Sequence, residues 1–306
     1  MSKLKHLRRR LTYSLVYWLL RFFIFFSNVL PRKLWIKMLG GLAAWIYYIP
    51  TKTRRLVFEH LHLAFAEEKT EAEIKQIAKN VFKMLGRNAA DIIRAAKEQP
   101  DAYYTNIIEL HNFEIPEAVK ALNQAIIFVV PHIGAIEILA NEVARRGYKP
   151  YIIGTPLKDE RLNNLLWQQR ARYGATPIVR GEETLRLLKI LLSGGSVALL
   201  IDQDTKVKSC FVNFFGKPAS TPIGAATLAL RTKAIVIPAY IYMDDKLKHH
   251  IHFYKPVELI RTDNMEADIV ANTQLFTSII ESQIRKHPEQ WVWMHRRWKT
   301  KPGNQL

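Results

Sequence analysis

The chain has 306 residues, of which 49% are hydrophobic and 24% are charged, and its formal net charge is +18. This composition provides enough apolar material for a buried core and excludes a disordered chain. A single cysteine, Cys210, excludes an internal disulfide, and the sequence contains no Cys/His zinc motif and no GxxxxGK[ST] phosphate loop.

Positive charge is concentrated at the start of the chain. Residues 1–60 contain twelve Lys or Arg against one Glu, so +11 of the +18 lies in the most apolar and aromatic part of the sequence. Basic residues beside apolar helices suit an anionic membrane surface, where each contributes about 1 kcal/mol. Because the sequence contains no recognisable nucleic-acid-binding module, we expect a membrane partner and no nucleic acid.

Two apolar segments follow a basic lead. Residues 11–30 could cross a bilayer core of about 30 Å, although Arg21 near the centre would cost roughly 2.5–3.5 kcal/mol. Residues 34–49 are shorter and carry Lys37. Since basic residues on both sides of a single crossing prefer the same cytoplasmic side, the pattern favours a re-entrant or interfacial helical hairpin. A core helix pair of a soluble domain is the alternative.

The sequence therefore predicts two regions, a membrane-anchoring helical segment at residues 1–50 and a single domain at residues 51–306. Helical patterns continue to about residue 98, and Thr70 with Glu73 forms a capping-box pattern. Beyond Pro100 the pattern changes from helices alone to strands and helices.

Short, continuously apolar runs predict strands that are buried on both faces. These runs are residues 125–130, 151–154 and 196–201. Helical patterns are predicted at residues 133–146, 160–173, 182–192 and 265–286, and an added hairpin at 234–242 and 249–257. Strands that alternate with helices predict an α/β fold with a mostly parallel central sheet flanked by helices.

His132 and Glu137 stand out because they follow the first predicted strand. Ligands bind at the carboxyl ends of strands in open α/β sheets. In a regular helix, five residues correspond to about 140° of rotation, so the two side chains meet only if His132 precedes the helix and Gly134 permits a turn. Glu137 would then hold one imidazole nitrogen, and the other would act as a base on a hydroxyl. A buried, satisfied histidine beside a surface glutamate is the alternative.

Three sequence blocks resemble those of the lipid A late acyltransferases, the lauroyl and myristoyl transferases of the lysophospholipid acyltransferase superfamily. They are Pro131–Glu137, Leu200–Asp204 with Phe211–Gly216 and Thr221–Gly224, and the tail Pro288–Pro302. The first is similar to the family's H-x4-D/E motif. The second and third are similar to its D-x-D, F-V-x-F-F-G and P-E-Q-x-x-W-x-H-R-R-W/F-K-T-R-P patterns. The resemblance spans nearly the whole chain.

The resemblance implies a fold similar to that of glycerol-phosphate acyltransferases and a reaction at the cytoplasmic side of a bacterial inner membrane. A fatty acyl chain would move from acyl carrier protein, or from acyl-CoA, to a hydroxyl of a Kdo-bearing lipid A precursor. No cofactor and no metal are implied. His132 would be the general base, assisted by Glu137.

The resemblance also implies supporting or substrate-binding residues. These are Arg170, Arg172, Arg180, Asp202 and Asp204. Guanidinium groups bind phosphates bidentately, and Asp202 could orient an arginine or the imidazole. A solvated helix face is the alternative for the arginines, and loop capping for the aspartates.

Other functional readings are weaker. Cys210 has no base predicted beside it. His249, His250 and His252 place at most two imidazoles on one strand face, so strand-edge polarity is favoured over a metal site. Two rival functions remain: an acyltransferase for another acceptor, such as a phosphatidylinositol mannoside or a lysophospholipid, and a non-catalytic membrane-binding relative.

Overall fold

A computed structural model describes residues 3–148, 150–154, 156–179 and 183–303. In these ranges the chain forms eleven α-helices: α1 (Lys3–Val29), α2 (Arg32–Ile46), α3 (Lys52–Phe65), α4 (Glu71–Ala95), α5 (Asp101–Ile107), α6 (Glu114–Ala121), α7 (Ile136–Arg145), α8 (Glu160–Arg172), α9 (Glu183–Leu192), α10 (Gly224–Arg231) and α11 (Met265–Lys286). It also forms nine strands: β1 (Ile108–His111), β2 (Ile126–Val129), β3 (Tyr151–Gly154), β4 (Thr176–Val179), β5 (Ser196–Leu199), β6 (Ser209–Phe214), β7 (Lys217–Pro222), β8 (Ile235–Met243) and β9 (His249–Phe253).

Seven strands form the central sheet in the order β1-β9-β8-β2-β5-β3-β4. All neighbouring pairs are parallel except the hairpin β8–β9. The predicted mixed α/β class, its mostly parallel sheet and the antiparallel hairpin are therefore confirmed. In β2 all four residues are buried, as the continuous apolar run predicted.

Three features of the strands were not predicted. Strand β1 contains Glu109 and His111 and lacks the apolar signal of a buried strand. Strand β4 contains Pro177, which an edge strand tolerates because one side of its backbone needs no partner. The six-residue strands β6 and β7 form a separate antiparallel pair outside the central sheet.

Local signals set several helix boundaries. The capping box at the start of α4 is present: the Thr70 backbone N–H donates to Glu73 at 2.8 Å, and the Glu73 N–H donates to the Thr70 hydroxyl at 3.3 Å. Helix α11 has the predicted bounds, and Asn264 accepts hydrogen bonds from two N–H groups of its first turn.

The first two helices differ in how they meet the rest of the protein. Helix α2 packs on α4 through the buried residues Trp35, Ile36 and Gly40. Within the described residues, α1 is the one helix long and apolar enough to cross a membrane: residues 7–29 have a mean hydropathy of 1.2, and 6% of the apolar window is buried. This makes α1 a weak candidate for a membrane anchor. The helical hairpin and the boundary at residue 50 stay predictions.

A buried carboxylate fixes α2 to the α/β body. Asp91 of α4 accepts hydrogen bonds from Arg32 (2.9 Å to Nε), from His249 of β9 (2.9 Å) and from the Tyr103 hydroxyl (3.0 Å). Burial alone would raise the pKa of Asp91, but His249 and Arg32 outweigh it and hold the pKa at about 2. The contacts of the Asp91 carboxylate therefore stabilise the fold at pH values above the ordinary pKa of an aspartate. This contribution is lost as pH falls towards 2.

Candidate active site

His132 lies between the end of β2 and the start of α7, as its predicted role requires. Helix α7 begins at Ile136, three residues later than the sequence pattern suggested. Gly134 has φ +63°, and a Cβ at this position would meet the carbonyl oxygen of Ile241. Only glycine tolerates both conditions. The Gly134 N–H donates to the Gln290 carbonyl at 3.0 Å, so the turn is also held by the C-terminal tail.

The partner of the imidazole is Asp202, and the predicted contact between Glu137 and His132 is wrong. The Nδ1 atom of His132 lies 2.7 Å from Asp202 Oδ1, and the His132 backbone N–H donates to Oδ2 at 2.7 Å. The cause is the sheet order. Strands β2 and β5 are neighbours, with Val129 opposite Leu199, so the segments that follow them meet at one edge.

Asp202 is an ionised, fully enclosed carboxylate. It is 2% exposed, and its Oδ2 atom also accepts a hydrogen bond from the indole N–H of Trp291 at 2.8 Å. Burial alone would raise the pKa of Asp202, but His132 and Trp291 outweigh it and hold the pKa at about 2. The Asp202 carboxylate therefore accepts the Nδ1 proton of His132, which leaves Nε2 as the unprotonated nitrogen.

Glu137 instead forms a two-point ion pair with Arg170 of α8. The Arg170 Nε atom donates to one carboxylate oxygen at 3.0 Å, and Nη2 donates to the other at 2.5 Å. Both side chains are 13% exposed. As the second residue of α7, Glu137 turns its carboxylate towards α8. The pair fixes a planar guanidinium group in the wall of the site.

His132, Glu137 and Arg170 line one cavity of about 500 Å³. Its remaining walls are mostly apolar and come mainly from β2, β5, α7, α9 and α10. The volume lies within the range of ligand cavities, about 300–1,000 Å³. Along α7 the wall extends from Ile136 to Val143, which is about 10 Å at 1.5 Å per residue. A cavity of this shape suits an extended apolar ligand whose polar end lies beside His132.

The other predicted residues lie outside this cluster. Asp204 accepts hydrogen bonds from the backbone N–H (2.8 Å) and hydroxyl (3.1 Å) of Thr300, so it holds the tail. Arg172 is exposed and donates to the Ala96 carbonyl at 3.0 Å. Arg180 lies outside the described residues. Burial raises the pKa of Cys210, which keeps its thiol protonated.

Sequence reasoning missed the contact between the C-terminal tail and the site. Trp291, Trp293 and Trp298 are buried core residues, and Arg297 is 0% exposed and bound to the Ser220 carbonyl and the Thr221 hydroxyl. The tail contributes Trp291 directly to Asp202. The dense aromatic pattern of the tail signalled an important segment, but no local pattern pairs Trp291 with an aspartate 89 residues earlier.

The chain is similar to known proteins over nearly its whole length. The sequence model of one protein family, the bacterial lipid A biosynthesis acyltransferases, matches residues 1–300. A lipid A biosynthesis acyltransferase of Haemophilus influenzae is 26% identical over 94% of this chain and 89% of its own. A lipid A biosynthesis myristoyltransferase of Escherichia coli is 26% identical over 89% of this chain and 84% of its own. A phosphatidylinositol mannoside acyltransferase of Mycobacterium tuberculosis is 22% identical over 73% of this chain and 77% of its own.

Proposed function

Because the chain belongs to the bacterial lipid A biosynthesis acyltransferase family, we propose that it moves a fatty acyl chain from acyl carrier protein to a hydroxyl of a Kdo-bearing lipid A precursor. One observation carries the chemical part of this proposal: a His132–Asp202 pair with a 2.7 Å hydrogen bond lies at an apolar cavity. That arrangement is what base-catalysed acylation of a hydroxyl needs.

His132 acts as the general base through Nε2. It takes the proton of the acceptor hydroxyl as the oxygen attacks the thioester carbonyl, and the Asp202 carboxylate stabilises the imidazolium that forms. When the tetrahedral intermediate collapses, the carbon–sulfur bond breaks and the imidazolium gives its Nε2 proton to the departing thiolate of the carrier. The products are an ester and a free thiol, and His132 is again neutral.

Arg170 and the start of α7 present hydrogen-bond donors to the same cavity. The ion pair with Glu137 occupies Nε and Nη2 of Arg170. Among the described residues Nη1 has no hydrogen-bond partner, so it can bind a phosphate or the oxyanion. The N-terminal end of α7, where Ile136 and Glu137 line the cavity, carries the positive end of the helix dipole. Glu137 thus acts through Arg170 and is a positioning residue.

The first helix supports the membrane part of the proposal. Between Leu7 and Val29 of α1, nine large hydrophobic side chains are exposed, among them Trp18, Phe22 and Phe25, and basic residues precede them. Exposed apolar surface of this extent marks an interaction surface. We place α1 at the cytoplasmic side of the bacterial inner membrane, where the enzyme would meet a lipid acceptor.

A transfer assay with three acceptors tests the substrate. Purified protein and acyl carrier protein loaded with a fatty acyl chain are mixed with a Kdo-bearing lipid A precursor, a phosphatidylinositol mannoside or a lysophospholipid. We expect acylation of the lipid A precursor to be the fastest by at least tenfold. Faster transfer to either other lipid would reject the acceptor assignment, and transfer to none would support a non-catalytic relative.

Replacing Glu137 by Gln is expected to lower kcat/KM about 10- to 100-fold, because one hydrogen bond to a charged group contributes roughly 1.5–3 kcal/mol. The effect should fall mainly on the KM of the acceptor, and the pH dependence of kcat should stay as in the wild type. Steady-state kinetics at several pH values measure both. The matched control is Glu160→Gln, at an exposed position of α8. A shifted pH profile in Glu137→Gln would instead make Glu137 a partner of the imidazole.

Replacing Ala140 by Leu is expected to shorten the acyl chain that the enzyme prefers. Ala140 lies one turn beyond Ile136 in the cavity wall, so a larger side chain fills space for the acyl chain. Each buried methylene contributes about 0.8 kcal/mol, so losing room for two lowers relative kcat/KM for the longer donor roughly tenfold. A series of acyl donors of increasing length measures the preference. Ala121→Leu, on the exposed side of α6, is the control, and equal profiles would contradict this assignment of the cavity.

A further inference from the structure

A group of histidines lies on one face of the sheet at its β1 edge. Strands β1 and β9 are parallel neighbours, with Glu109 opposite His250 and His111 opposite His252. Because side chains alternate along a strand, these four residues share one face. The sequence pattern of β9 alone predicted two imidazoles on a face, and β1 adds a third with a carboxylate.

Three of these side chains bring their donor atoms together. The Nε2 atom of His111 lies 3.0 Å from Nδ1 of His250. The Glu109 carboxylate lies 3.6 Å from His111 Nε2 and 3.9 Å from His250 Nδ1. Two nitrogen ligands of one tetrahedral Zn²⁺, each at 2.0–2.1 Å, are about 3.3 Å apart. All three separations therefore lie within several tenths of an ångström of the distance expected between two ligands of one zinc ion.

The neighbours of the two histidines orient them for a cation. The Asp244 carboxylate accepts a hydrogen bond from His250 Nε2 at 3.1 Å, which directs the lone pair of Nδ1 towards His111. A carboxylate on the remote nitrogen is the usual support of a zinc-bound histidine. The ring of His252 stacks on His111 at 4.0 Å between centroids, and Tyr242 stacks on His250 at 5.0 Å. Both rings are thereby fixed in orientation.

Burial and charge also suit a site that is loaded from solution. The side chain of His250 is 13% exposed, that of His111 30% and that of Glu109 51%, so the glutamate faces solvent and the imidazoles lie behind it. Glu109 and Asp244 supply two negative charges. Lys286 of α11 adds a positive charge near His252, and it lies over the Tyr254 ring at 5.9 Å.

We propose that Glu109, His111 and His250 bind one Zn²⁺, with Asp244 orienting His250 and a water molecule in the fourth position. Two imidazoles and one carboxylate are a ligand set that zinc commonly takes. The metal would join the edge strand β1 to the β8–β9 hairpin. This site is separate from the His132–Asp202 pair, and it is independent of the proposed acyl transfer.

Calorimetric titration of Zn²⁺ into the purified, chelator-treated full chain tests the proposal. We expect one tight site in the wild type, loss of that site in His250→Ala, and about 10- to 100-fold weaker binding in Asp244→Asn, which keeps all three ligands. The matched control is His62→Ala, because His62 forms an exposed pair with Glu71 at 2.6 Å. Its zinc binding should equal that of the wild type.

The outcomes separate a metal site from its simplest alternative. A wild type that binds no Zn²⁺ would show that the two nitrogens only share a proton, and equal binding in wild type and His250→Ala would show adventitious binding elsewhere. If His250→Ala does not fold, the wild-type titration and the conservative Asp244→Asn variant still decide. Loss of acyl transfer in any variant is a different result, since the proposal concerns metal affinity alone.

Discussion

Replacing His132 by Ala is expected to lower kcat for acyl transfer by about 10²- to 10⁴-fold, the usual contribution of a positioned general base. The acceptor hydroxyl then keeps its proton during attack. The KM values should change little, because the apolar cavity and Arg170 remain in place. Single-turnover transfer from an acyl-loaded carrier protein measures the chemical step directly.

His62→Ala is the matched control for this experiment, since His62 is a histidine on α3 whose imidazole also contacts a carboxylate. We expect it to transfer at the wild-type rate. Circular dichroism should give the same helix content for His132→Ala and the wild type, because the ring is 25% exposed and its loss leaves the fold intact. A His132→Ala variant with wild-type kcat would exclude the imidazole as the base.

Replacing Asp202 by Asn is expected to lower kcat by a similar factor, up to about 10⁴-fold. In a triad with the same histidine–carboxylate contact, the equivalent change has that effect because the imidazole takes the wrong tautomer. The amide of Asn also carries no charge to stabilise the imidazolium. We expect the pH profile of kcat to change in Asp202→Asn and to be unchanged in Glu137→Gln, so the two carboxylates are distinguished by one assay.

Asp204→Asn serves as the control, because Asp204 lies two residues away and holds only the tail. It should reduce stability and leave kcat near the wild-type value.

Asp202 also contributes to acid stability. Its pKa of about 2 lies below the ordinary 3.8, which corresponds to roughly 2 kcal/mol that is present above pH 4 and lost as pH falls through 2. If Asp202→Asn kept full activity, the pairing with His132 would have no catalytic role.

Much of the central sheet could be predicted because strands buried on both faces leave a plain signal. The runs that became β2, β3 and β5 are continuously apolar. Strand β1 gave no such signal, because Glu109 and His111 lie on a polar face, and Pro177 masked β4. These two strands form because they pair with strands that are distant from them in the sequence.

The candidate site was predictable in position and only partly in its contacts. A histidine after a buried strand predicted the edge of the sheet, and the glycine turn at Gly134 was expected from the need for His132 to precede α7. The choice between two carboxylates was not predictable. Glu137 is near in sequence, whereas Asp202 reaches the imidazole because β5 lies beside β2. Strand order is a property of the whole sheet.

The most direct test of lipid A acylation is mass spectrometry of lipid A from cells with and without the gene. We predict that deletion leaves lipid A lighter by one fatty acyl chain, and that wild-type protein restores the chain while His132→Ala does not. Unchanged lipid A in the deletion strain would contradict the proposed acceptor.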